Sequence, residues 1–273
     1  MSLAQVKIVC LVDDSPSPGY RAEHGIAFFL ESRCLRMLFD TGQSGDVLLA
    51  NADRAGIDLG WLGLIALSHG HYDHTGGLMK ALGRSGTIRL LAGEGAFHKK
   101  YVRRQGELKS IGIPFSADEL WHHCDVVLRS DPTMICDCIW TTGAVPRAVP
   151  FEQPDPNFLE GDGALAVDQF RDDQSLVVDS DAGLMLLCGC CHAGLVNTME
   201  HVRKAFGRYP SIVAGGLHLE KAADERIAAT VAALKAAGVS RFLPGHCSGK
   251  KIAVAAAAAG IEVVPLCAGM RIA

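Results

Sequence analysis

Ser68-His69-Gly70-His71-Tyr72-Asp73-His74-Thr75-Gly76-Gly77 decides the reading of this chain, because three imidazoles and a carboxylate crowd into six consecutive positions. The run over residues 62–67 directly before it is almost wholly apolar, as a strand covered on both faces would be. In extended backbone, side chains two positions apart project to the same side, so His69 and His71 can face one ion. The chain then turns, and Asp73 with His74 can reach a second ion beside the first. Neutral imidazole and carboxylate suit Zn2+, and also Fe or Mn. The glycines that follow let backbone approach closely. A chance cluster of solvated histidines would not be expected at the end of a buried strand.

Upstream of this run, apolar segments at 6–12, 26–30 and 35–39 alternate with turns, which predicts a strand meander ending in Asp40-Thr41-Gly42. Residues 44–55 read as a helix. Downstream, a helix is expected at 76–81 and a strand at 88–92. Residues 96–104 are expected to form a helix whose Lys99, Lys100, Arg103 and Arg104 face is either solvated surface or a contact for a phosphorylated substrate. Residues 105–163 carry short apolar runs, several prolines and acidic turns, and are expected to be an irregular insertion that shapes the substrate pocket.

In the second half, strands at 175–178 and 184–187 pair across a turn at Asp181-Ala182-Gly183. The period then changes: Leu195, Met199, Val202 and Phe206 recur at helical spacing and stop at Gly207. A strand at 211–214, a helix marked by Ile227, Val231 and Leu234, a strand at 241–243 and a helix at 251–259 follow. Strands alternating with amphipathic helices predict an α/β fold of sheets with helices packed outside. Without an internal repeat or low-complexity linker, residues 1–273 are expected to form a single domain.

The chain has 273 residues, 49% hydrophobic and 21% charged, enough to bury a sizeable core. A formal charge of −4 without long like-charge runs offers no basic face for nucleic acid and no polybasic membrane anchor, which points to a small-molecule partner. The apolar run 6–12 lacks a basic leader, and 252–261 falls well short of the ~20 residues that span a bilayer, so a cytoplasmic protein is expected. Its ten cysteines are then expected to be thiols, mostly buried, with metal ligation as their other use. Gly93-Glu94-Gly95-Ala96 follows a strand but lacks both a dinucleotide fingerprint and a P-loop lysine.

His192, His218 and His246 each follow an apolar strand of the second half, which places three further imidazoles at one structural level. The H-x-H-x-D-H run resembles the signature of the metallo-β-lactamase superfamily, and Leu38-Phe39-Asp40-Thr41-Gly42 resembles its early strand and turn. That resemblance implies a four-layered αβ/βα sandwich with the metals at one edge of two facing sheets. It implies that His69 and His71 hold one ion, that Asp73 and His74 hold the other, and that Asp40 supports a ligand. Pro244-Gly245-His246 resembles the last ligand motif, which assigns His246 to the second ion. Where many members have Gly-Asp with a bridging carboxylate, this chain has Gly189-Cys190. Either Cys190 or, two residues on, His192 then supplies a ligand. The histidine usual near residue 170 is replaced by Asp172-Asp173-Gln174, where Asp173 either contributes an oxygen ligand or hydrogen-bonds a ligand imidazole.

The ordered set Glu23-His24-Gly25, 40–45, 68–71, 172–174, 189–194, 215–219 and 244–247 resembles, over about residues 6–270, the branch related to dihydropterin-6-methyl-ribofuranosylaminobenzene-phosphate synthase. In that branch the segment matching 141–147 carries a glutamate where Ala144 stands, leaving Glu23, Arg147 and Glu152 as expected substrate-pocket residues. The resemblance implies a two-metal hydrolase or transferase acting on a phosphorylated or pterin-like small molecule. Asp73 would orient the nucleophile, and His218 would serve as general acid or substrate contact. Hydrolysis of a phosphodiester, thioester or lactone is the alternative, and a metal or redox sensor using Cys190, Cys191 and Cys247 is the reading from another class.

Overall fold

The computed structural model describes residues 6–86, 88–181 and 183–273, so Ala182 of the expected turn lies outside the described residues. The meander forms as expected: Lys7–Val12, Ala27–Glu31 and Arg36–Phe39 pair antiparallel. Leu64–Ala66, Ile88–Ala92 and Cys124–Leu128 then add in parallel to complete a six-stranded sheet. A seven-stranded sheet is built from Glu262–Val263, Arg241–Pro244, Ile212–Gly215 and Gly183–Cys188 in parallel. It is continued antiparallel by Leu176–Ser180, Ile139–Thr141 and Thr133–Cys136.

Strand periodicity sorts the side chains into layers. Ile8, Cys10, Phe28, Leu30, Leu64 and Ala66 point into a core shared with Leu176, Val178, Met185 and Leu187 of the second sheet, so the sheets pack face to face. The alternating residues Val9, Leu11, Phe29 and Ile65 meet Leu48 and Leu78 of the helices Asp46–Arg54 and Leu78–Leu82 on the outer face. On the other side, Leu184, Leu186 and Val213 pack under Leu195, Met199 and Val202 of Leu195–Phe206. They also meet Ile227 and Val231 of Asp224–Ala236, and Ile252 of Lys250–Ala258. Helix, sheet, sheet and helix make the four expected layers. No helix is long and apolar enough to cross a membrane among the described residues.

Two expectations are corrected. Residues 100–104 are a strand, Lys100–Arg104, held between Phe158–Glu160 and Glu107–Ser110 in a third, four-stranded antiparallel sheet that Ala166–Val167 completes. Lys100 is buried against Asp168 and Asp172 rather than lying on a solvated helical face. Nor is 105–163 an irregular insertion, because five strands and the capped helix Ala117–Trp121 lie within it and three of those strands extend the main sheets. Its strands escape notice because they are short and partly exposed; Glu107–Ser110 has no buried residue. All ten cysteines are unpaired, and six of them are buried.

Candidate metal centre

The strands Arg36–Phe39, Leu64–Ala66 and Gly183–Cys188 deliver the site residues from their C-terminal ends. Asp40, fully buried, accepts from the Ser68 backbone N–H and hydroxyl, both at 2.7 Å, and lies 2.7 Å from His74 Nδ1. Such a carboxylate fixes the imidazole orientation and leaves Nε2 facing the site. Ser68 Oγ is also 2.9 Å from His69 Nδ1, so one Asp40–Ser68 pair orients two rings. A Cβ at Gly189 would strike that hydroxyl, and a Cβ at Gly70 would strike the Ala96 carbonyl oxygen. Glycine is required at both by close approach.

The intervening backbone is equally constrained. Gly70 N–H donates to Asp172 Oδ2 at 2.8 Å, and the other Asp172 oxygen meets Lys100 Nζ at 2.9 Å. The short helix Tyr72–Thr75 is tied back by the Thr75 hydroxyl, which donates to the His71 carbonyl at 2.8 Å. On the facing sheet, Asp173 Oδ2 accepts from the Ala193 N–H at 2.8 Å, and Arg147 donates to the carbonyls of His192, Ala193 and Glu152. The Phe170 ring stacks on His192 at 4.1 Å. Asp40, Cys191, His218 and His246 all have positive φ, at 62°, 54°, 50° and 43°. Backbone strain of about 1–3 kcal/mol per residue is thus concentrated around one site.

These supports bring the ligand atoms of His69, His71 and His192 within 4.8 Å of one another, and do the same for Asp73, His74 and His246. Cys190 Sγ sits between the groups, 3.2 Å from His74 Nε2 and 3.2 Å from Cys247 Sγ. The same spacing also joins Cys190, His218 and Cys247. The Nε2 atoms of His69, His71, His192 and His246 are buried and have no hydrogen-bond partner. Burial, with smaller contributions from neighbouring imidazoles, pushes His69 and His192 well below the usual histidine range, and burial does the same to His71. Neutral rings with unused nitrogen lone pairs are what a divalent cation requires, so the donor set of His69, His71 and His192 fits one. Burial would raise the Asp73 carboxyl, but His74 and His246 hold it well below the usual carboxylate range.

The structure also locates residues that motif reading missed. Asp13 accepts from the His246 N–H at 2.8 Å, and Asp14 lies 2.7 Å from His246 Nδ1. His24 bridges Asp14 at 3.1 Å and Asp73 at 3.4 Å. The only prior signal was a pair of aspartates at the end of an apolar strand and a histidine in a branch-like motif. His218 is exposed at the cavity, its ring centroid 4.5 Å from that of His192. Asp173 reaches neither a ligand group nor an imidazole; it fixes the backbone beside His192, and burial pushes its carboxyl up to about 7. Glu23 accepts from the Gln43 and Ser44 N–H groups and, like Arg147 and Glu152, does not line the cavity. These expected substrate residues are instead fasteners of loops and, for Glu152, of a helix start. The cavity itself is about 570 Å³ and has His71, Asp73, His192, His218 and His246 among its walls.

A fold of two helix-flanked sheets with this histidine edge defines a class, and the sequence profile of the metallo-beta-lactamase superfamily matches residues 27–172. The chain belongs to that superfamily, whose fold implies divalent-metal binding. It is 29% identical to 7,8-dihydropterin-6-methyl-4-(beta-D-ribofuranosyl)-aminobenzene-5'-phosphate synthase of Methanocaldococcus jannaschii, over 90% of this chain and 88% of that protein. An uncharacterised protein of the same organism is 31% identical over 89% of this chain and 91% of its own length. Among solved structures, Tm1679, a metal-dependent hydrolase of the beta-lactamase superfamily, superposes with a TM-score of 0.87 at 30% identity, covering 98% of this chain and 99% of that one.

Proposed function

We propose that this protein is a two-metal hydrolase or transferase acting on a phosphorylated or pterin-like small molecule. His69, His71 and His192 would hold one ion, and Asp73, His74 and His246 the other, with Cys190 placed to reach both. The observation that carries this reading is four buried imidazole nitrogens without a hydrogen-bond partner, those of His69, His71, His192 and His246, the last three on residues that line one cavity. When bound, two divalent ions would supply Lewis acidity, a water of lowered pKa and support for a leaving group. The chain's own contribution is orientation: Asp40 and Ser68 fix His74 and His69, while Asp14 fixes His246. His218 faces the cavity outside the two proposed ligand triads and would serve as proton donor or substrate contact.

The synthase relative favours transfer on a phosphate-bearing pterin, whereas the similarity to a metal-dependent hydrolase favours hydrolysis, for which a phosphodiester, thioester or lactone is the alternative substrate. Metal analysis of purified protein is expected to give two equivalents per chain, falling to one or less in His192→Ala, together with turnover that chelator abolishes. Less than one equivalent in the unmodified protein, with turnover indifferent to chelator, would sink the proposal. Parallel assays with pterin diphosphates and with the three ester classes decide between transfer and hydrolysis.

A further inference from the structure

We infer that the cationic mouth of this cavity binds a phosphate group of the substrate that does not itself react. The residues are Arg103, Arg104 and Lys109 of the hairpin 100–110, with Lys221 and Arg226 from the segment after His218. The inference rests on the metal-site reading above and adds which residues select the substrate class.

The charge distribution is the first argument. The chain carries a net −4, yet these five cations line one cavity, where the carboxylates other than Asp73 are Asp155 and Glu220. Partnering is the second. Some surface lysines elsewhere are paired, as in Lys80–Asp46 at 2.6 Å and Lys251–Asp224 at 2.7 Å, and those that are not, such as Lys204 and Lys235, do not line a cavity with other cations. At the mouth, Lys109 has only a 3.9 Å contact with Glu107, and the other four form no ion pair among the described residues. The Arg226 Nε is buried and unpartnered. Unneutralised like charges held together repel, so their grouping calls for an anion.

Placement is the third argument. Val102, beside the two arginines, packs with Phe158 and Phe170, and the Phe158 ring stacks 5.8 Å from His71. Arg103 N–H donates to the Asn157 carbonyl at 2.8 Å, in the loop that leads to Phe158. The guanidinium groups therefore stand on a strand packed against a ligand ring, at a fixed place relative to the histidines. A planar guanidinium matches two phosphate oxygens at once. Depth separates the two functions: His69, His71, His74 and His192 are buried, while Arg103, Arg104, Lys109 and Lys221 are exposed. A substrate spanning both has its reacting bond at the histidines and its phosphate at the rim.

Calorimetric titration of the metal-loaded protein with ribose 5-phosphate, and with ribose as the uncharged control, tests this. The phosphate ester is expected to bind and ribose not to. Arg103→Ala/Arg104→Ala is expected to weaken ribose 5-phosphate binding about tenfold or more, the scale of lost charge-assisted contacts, while keeping its full metal content. Wild-type affinity in the double variant would overturn the inference, as would absence of binding to the unmodified protein, or binding that chelator abolishes. Metal content measured on the same samples separates the two readings. Arginine-dependent binding by unmodified protein that takes up no metal on loading would refute the metal proposal and leave the phosphate site standing.

Discussion

Lys100 carries its ammonium into a site where its side chain is 1% exposed, and Asp168 and Asp172 lie 2.8 and 2.9 Å away. Burial would strip its proton, but the two carboxylates outweigh burial and raise its pKa, so the lysine stays charged. Through Asp172 it also secures Gly70, the residue between His69 and His71. Lys100→Met is expected to cost about 3–5 kcal/mol, because it strands two buried carboxylates. Urea unfolding monitored by circular dichroism checks this; a loss under about 1 kcal/mol would show that the carboxylates protonate or hydrate without consequence. At this scale the sequence is informative only where chemistry is concentrated. Six candidate ligands were legible because imidazoles are rare and stood at strand ends. Asp13, Asp14 and His24 were not, since only the folded contact between residues 13–14 and 246 reveals their role.

Helices with one buried stripe and strands covered on both faces were legible from periodicity, whereas elements with little buried apolar surface were not. In Leu195–Phe206, Leu195, Met199 and Val202 face the second sheet at the spacing visible in the sequence. Met199→Ala is expected to cost about 2–5 kcal/mol by opening a cavity there. Metal stoichiometry should not change, because Met199 packs in the core under the outer helices and supplies no candidate ligand atom; a variant that loses metal in proportion to stability would contradict this. Strand Lys100–Arg104 shows how periodicity misleads. Lys100, Arg103 and Arg104 stand at positions i, i+3 and i+4, which imitates a helical face. The buried residues are instead Lys100 and Val102, two apart, as strand geometry requires. A buried lysine breaks the apolar alternation that would have identified the strand.

Across the whole molecule, the proposed ligands are shared between the two sheets. His69, His71, Asp73 and His74 follow a strand of the first, whereas His192 and His246 follow strands of the second. Bound ions would therefore join two layers otherwise held by the apolar core between them. Ligand binding to the folded state alone stabilises it by about 2.7 kcal/mol at a hundredfold excess over Kd. For a chain of this size each kcal/mol shifts Tm by about 2–4 °C, so metal removal is expected to lower Tm by about 5–10 °C. Calorimetry with and without chelator measures the shift, and zinc added back should restore it. In His71→Ala/His246→Ala, which removes one ligand from each side, chelator should leave Tm nearly unchanged. A chelator shift of wild-type size in that variant would place the stabilising metal somewhere other than between the sheets.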